Sequence, residues 1–275
     1  MKKVVIAFFT FVFAVSSCFA FTDRYSKEYL QSKKHLSVIN PIFERAVENM
    51  LKKELKKETG ANCKVSFKGY TTSSIKKGIF KKLELSGNNL KVSGIPLEYA
   101  HLKTLTDYNY IDYKKSPIVY KSDMEFAYDI ILTEEAINIA LDNKKYQNVI
   151  ARINKMAYPM FCIDKVRTKI IKNKMYLIID YNFPIGRSNR ERTFVTSSDL
   201  RVEKGKIYAS NVHIDSIYGN LGLDRVANLI NLLNPLEFTL NLMDSKNCKG
   251  NVENVNIVDN KIKVDGKMFV SGEKS

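Results

Sequence analysis

From residue 41 onward, Ile42, Phe43, Ala46, Val47, Met50, Leu51 and Leu55 fall on one stripe at helical spacing. Asn40-Pro41 supplies a cap and a first-turn proline, and Gly60 ends the run, so a helix is predicted over 41–58. Its opposite face, Glu44, Arg45, Glu48, Lys52, Lys53 and Lys56, reads as solvated. After Gly60 the period switches to two. Four units, 83–92, 168–177, 200–209 and 255–264, each alternate apolar and polar residues around a turn at Gly87, Asn173, Gly205 or Asn260. Gly and Asn accept positive φ, so each unit reads as an antiparallel hairpin with one dry face. Strands are also predicted at 64–70, 97–106, 124–132 and 267–271.

Helical segments interrupt the strands. Thr133 caps a stretch with Ala136, Ile137, Ala140 and Leu141 on one face and acids in its first turn. A second piece carries Val149, Ile150, Ile153 and Met156 before Pro159. A third, with Leu223, Val226, Leu229, Ile230 and Leu233, is predicted to stop at Asn234-Pro235. The expected fold is α+β: a strongly curved antiparallel sheet wrapped around the long amphipathic 41–58 helix, with two or three further short helices. Such a wrap leaves an elongated apolar groove. Its lining is expected from Phe43, Val47, Met50, Leu51, Ile137, Leu141, Leu229, Ile230 and Leu233.

The N-terminus changes the picture. Lys2 and Lys3 precede an apolar run over 4–15 and small residues ending at Ala20, the layout of a secretory signal, too short to span a bilayer. The expected organisation is a signal peptide over 1–20, a polar spacer over 21–39 and a single domain over 40–275. Val15-Ser16-Ser17-Cys18 also resembles a bacterial lipobox, which makes Cys18 a candidate for lipidation. The chain is therefore expected in the bacterial periplasm or envelope, soluble or anchored at its N-terminus. An oxidising compartment makes Cys63 and Cys248, each between Asn and Lys, a candidate disulfide; idle thiols are the competing reading.

Several of these segments carry a resemblance. Leu83–Leu97, ending in Gly94-Ile95-Pro96; Leu132–Asn138, a strand running into a Thr-Glu-started helix; the strand with Lys204-Gly205-Lys206-Ile207; Asn234-Pro235 after Leu232-Leu233; and the closing hairpin with Gly266 stand in order over residues 40–270. In that order the chain resembles the LmeA-type family of bacterial exported phospholipid-binding proteins. The family is similar to tubular lipid-binding domains. The resemblance implies binding of phospholipid acyl chains, acidic phospholipid as ligand, a role in envelope lipid transfer or homeostasis, and no catalysis. The alternative is a structural or assembly protein of the envelope with a filled core.

Charge bears on partners. The chain has 44 Lys+Arg against 29 Asp+Glu, a formal +15, so transient contact with an anionic membrane surface is expected. Candidate headgroup contacts are Lys76, Lys77, Lys81 and Lys82 near the first hairpin, and Arg187, Arg190 and Arg192 in a basic stretch between strands. No nucleic-acid-binding motif accompanies the charge, so nucleic acid is not an expected partner. No metal or cofactor is expected: His35, His101 and His213 are the only histidines, and no CxxC, HExxH, P-loop or GxGxxG is present. GxSxG is absent too, and His213 near Asp215 makes a triad only if a serine converges on it.

Overall fold

A computed structural model describes residues 40–112, 119–158, 162–183, 192–214, 231–241 and 248–272. Strands hold 54% of these residues and helices 28%, so the fold is strand-dominated. In chain order the elements are α1 (Asn40–Thr59), β1 (Cys63–Lys68), α2 (Thr72–Lys76), β2 (Ile79–Phe80), β3 (Lys82–Val92), β4 (Ile95–Thr104), β5 (Asn109–Asp112), β6 (Val119–Tyr120) and β7 (Met124–Leu132). Then follow α3 (Glu134–Leu141), α4 (Lys144–Ala157), β8 (Cys162–Ile171), β9 (Lys174–Asn182), β10 (Arg192–Glu203), β11 (Lys206–Ile214), α5 (Pro235–Asn241), β12 (Cys248–Val258) and β13 (Lys261–Val270). They form three antiparallel sheets, in the orders β1-β3-β4-β7-β13-β12, β11-β10-β9-β8 and β2-β5-β6.

The chain divides into two compact units: residues 1–130, 244–251 and 265–275, and residues 131–243 and 252–264. In the first unit, Val47, Leu51 and Leu55 of α1 pack with Val65, Phe67, Leu83, Leu85 and Phe126 of the strands. Two acids of α1 serve the sheet's margin. Glu48 Oε1 accepts from the Phe67 N–H and Glu44 Oε1 from the Gly69 N–H, each at 2.9 Å. Glu44 and Glu48 are one helical turn apart, while Phe67 and Gly69 are two residues apart along an extended chain. The two repeats match closely enough for a helix to satisfy the outward amides of edge strand β1.

The second unit repeats this device. On edge strand β8, Asn154 of α4 accepts from the Ile163 N–H at 2.7 Å and donates to the Ile163 carbonyl at 2.8 Å. Glu134 of α3 accepts from the Ile170 N–H at 2.8 Å. On the other edge strand, β11, Asn234 donates to the Ile207 carbonyl at 2.7 Å, and Asn231 accepts from the Ala209 N–H at 3.2 Å. The unit's core holds Leu141, Tyr146, Ile150, Ile153, Val166, Leu177, Ile179 and Leu233. The Tyr146 hydroxyl donates to the Leu233 carbonyl at 2.7 Å, which satisfies a buried polar group. Burial pushes that phenol well above its ordinary value.

The structure corrects three expectations and extends one. First, no sheet wraps around α1. Ile42 is 68% exposed, and Arg45, Ala46, Lys53, Lys56 and Lys57 are exposed, so one face of α1 packs on β1 and β3 while these residues stay in water. Enclosing them would desolvate unpaired charges. Second, residues 83–92 belong to one strand rather than a hairpin. The turn lies at Ser93-Gly94, with φ of 53° and 87°, and Asn89, at φ 54°, is accommodated inside β3. The other three turns fall at Lys172-Asn173, Lys204-Gly205 and Asp259-Asn260, all with positive φ at both residues.

Third, Asn234-Pro235 opens a helix as well as ending one: helical residues 231–232 stop before it, as expected. The Asn234 carboxamide accepts from the Leu236 N–H at 3.1 Å, and Pro235 is the first residue of α5. Fourth, Cys63 is a free thiol. Its strand β1 and the strand of Cys248, β12, are opposite margins of the six-stranded sheet, whereas a disulfide needs Cα atoms within about 7 Å. The Cys63 sulfur lies 4.0 Å from the Thr59 hydroxyl, and burial raises its pKa.

Candidate functional site

The positions expected to line a groove divide between the two units. Val47 and Leu51 are 2% and 3% exposed within the first core, with Phe43 packed against it and Met50 half-buried. Leu141 and Leu233 belong to the second core, at 1% and 0% exposure, and Ile137 is fully buried on α3. Leu229 and Ile230 lie outside the described residues, as do Cys18, the signal and the spacer. No described helix is long and apolar enough to cross a membrane.

The expected headgroup contacts also fall in two places. Lys76 is exposed at the end of α2, its ammonium 5.8 Å from the centroid of the Phe43 ring. Lys82 is exposed, and Lys77 and Lys81 are half-buried. Arg192 opens β10, and its guanidinium stacks 4.7 Å from the centroid of Phe183. Phe183 meets Tyr181 edge to face at 5.6 Å. Arg187 and Arg190 lie outside the described residues.

Arg192 belongs to one end of the four-stranded sheet, and the register says what else stands there. Cys162 pairs with Asn182, and Arg192 pairs with Tyr181. The Asn154–Ile163 bonds tie the last turns of α4 to the same end. There Met156 is 75% exposed and Tyr158 65%, although both are large and apolar in their bodies. Arg152 and Lys155 are exposed beside them in the chain. Exposed Asp164 takes two hydrogen bonds from Asn182, at 2.8 and 2.9 Å, and Asp180 stands opposite Thr193, so this end also carries acids.

The buried stripe of α4, Tyr146, Ile150 and Ile153, ends one turn before Met156, so periodicity alone assigns Met156 to the core. Pro159 after Tyr158 was the available signal that the helix runs out there.

Comparison with protein-family models, curated proteins and solved structures finds no match. The resemblance to the LmeA-type family therefore rests on the sequence motifs.

Among the described residues no cluster of His, Cys, Asp and Glu has metal-holding geometry. Ser197 stands opposite His213 in the β10–β11 register, but Ser197 is buried and His213 exposed. His101 makes a surface triad with acids from neighbouring strands. Its Nε2 is 2.9 Å from Glu84 Oε1 and its Nδ1 3.1 Å from Asp129 Oδ2. Partial burial lowers its pKa, but the hydrogen bonds and charges of Asp129 and Glu84 outweigh that and leave it raised. The triad bridges three neighbouring strands, and Ser86 stands opposite His101 in the β3–β4 register.

Proposed function

We propose that the mature chain is an exported, non-catalytic protein of the bacterial envelope that binds anionic phospholipid at a membrane surface. Contact is made through the end of the four-stranded sheet that carries Met156, Tyr158 and Arg192. The observation that carries this reading is the exposure of Met156 and Tyr158 at the end where a guanidinium covers Phe183. A methionine side chain is worth about 1.5–3 kcal/mol when it leaves water, and a well-placed Lys or Arg adds about 1 kcal/mol near anionic lipid. Two apolar side chains with Arg152, Lys155 and Arg192 thus support reversible attachment. Export rests on the signal pattern of residues 1–20, and phospholipid as ligand also on the family resemblance. Val47 and Leu51 pack one core and Leu141 and Leu233 the other, and in this reading acyl contact belongs to the exposed end. Flotation with vesicles of phosphatidylglycerol in phosphatidylcholine, against phosphatidylcholine alone, tests it: retention on the anionic vesicles only is expected, and equal or absent retention refutes it.

A second reading, a structural or assembly protein of the envelope, is favoured by the packing of the expected groove residues into two cores. It predicts no vesicle binding.

A further inference from the structure

Arg192 stands at an inward-facing position of the second unit. It lies directly opposite Tyr181 of β9, and along β10 it alternates with Thr193 and continues the buried set of Phe194 and Thr196. α4 covers this face: its Ile150 and Ile153 pack with Tyr181 and Phe194. Phe183 rests against the same core, meets Tyr181 edge to face at 5.6 Å, and carries the Arg192 guanidinium 4.7 Å from its ring centroid. A cation therefore closes the dry face, at the end where Met156 and Tyr158 are exposed.

The acids of this end serve other groups. Asp180 alternates with Tyr181 and belongs to the outward face, where it takes Arg167 at 2.7 Å and the Thr193 hydroxyl at 2.9 Å. Asp164 accepts from Asn182, two residues along from Asp180 and on that same outward face. Among the described residues the Arg192 guanidinium donates to no oxygen, and the Phe183 ring is its contact. A ring engages the flat of a guanidinium and leaves the N–H fork at its edge unspent.

We propose that Arg192 binds the phosphate of a membrane phospholipid through this fork, with Phe183 as a positioning residue and the acyl part of the lipid against Met156 and Tyr158. The inference deepens the membrane reading above and rests on it. Two features favour a phospholipid over a bare anion. The fork matches a pair of phosphate oxygens, and the exposed side chains at the same end match hydrocarbon. A merely basic surface answers to charge alone and treats Arg and Lys alike, whereas a stacked fork does not.

Co-flotation with vesicles of phosphatidylglycerol in phosphatidylcholine, at fixed salt, tests it. Arg192→Lys keeps the charge and is expected to lower the vesicle-bound fraction relative to free protein by about threefold or more. Phe183→Leu is expected to lower it likewise, and Phe183→Tyr, which keeps an aromatic face, to match the parent. Arg201→Lys, the same exchange at an exposed position further along β10, is expected to change nothing. Thermal melts confirm that each variant is folded. A retained parent with Arg192→Lys equal to it, an Arg201→Lys loss of the same size, or Phe183→Tyr failing as Phe183→Leu does overturns this inference and leaves the membrane reading standing. A parent that is not retained overturns both.

Discussion

Asn138 and Thr168 exchange two hydrogen bonds across 30 residues of sequence. The carboxamide nitrogen donates to the Thr168 carbonyl at 2.9 Å, and its oxygen accepts from the Thr168 N–H at 2.8 Å. A single side chain thus does for one residue of β8 what a neighbouring strand would do. Asn154 does the same for Ile163, and Glu134 takes the Ile170 N–H. The register between β8 and β9 shifts between Ile163 and Lys165, which is why the capped positions change from odd to even along one margin. The two helices pack on the sheet and close its margin at once.

Asn138→Ala is expected to lower stability by about 1–3 kcal/mol, because it strips both partners from a half-buried backbone position. It also uncovers a strand margin that can pair with another chain. Asn138→Asp, which keeps the acceptor and loses the donor, is expected to fall between. Urea unfolding with light scattering at the midpoint measures both effects; a stable, non-associating Asn138→Ala refutes the edge-capping account.

The His101 triad sets a pH dependence. Its native pKa is raised, so the protonated form is favoured by folding. That contribution is present in full below the ordinary histidine value of about 6.5 and is lost as pH rises through the raised native value. Melting temperature is expected to fall with pH over that window in the parent and to be flatter in His101→Gln. Equal slopes contradict the assignment.

Gly266 has no room for a side chain. A Cβ there would collide with the Asn251 carbonyl oxygen and stand 2.8 Å from the Tyr128 hydroxyl. The carbonyl belongs to backbone and cannot rotate away. Gly266→Ala is expected to cost about 1–3 kcal/mol, the range for overpacking a filled space, read as a lower urea midpoint. An unchanged midpoint would show that β12 yields without cost.

Local chemistry was legible wherever its partner lay close in sequence. Thr133 caps α3 by accepting from the Ala136 N–H at 3.2 Å, as its place before two acids suggests. The turns at Asn173, Gly205 and Asn260 were legible because only residues tolerant of positive φ fit there. Gly87 misled because its lack of a side chain serves packing: a Cβ would meet Leu90 at 3.0 Å and the Cys63 sulfur at 3.3 Å. Glu44 and Glu48 read as solvated because their partners, Gly69 and Phe67, come from a strand that only tertiary structure brings near.

The chain contains no tryptophan, so a single introduced one reports on its site alone. With Tyr158→Trp, adding vesicles rich in phosphatidylglycerol is expected to shift the emission to the blue and to protect it from an aqueous quencher, with reversal by salt. Tyr208→Trp, beside the Lys204-Gly205 turn of the same sheet, is expected to stay unshifted. An unchanged Tyr158→Trp spectrum, or equal shifts at both positions, contradicts membrane engagement through this end.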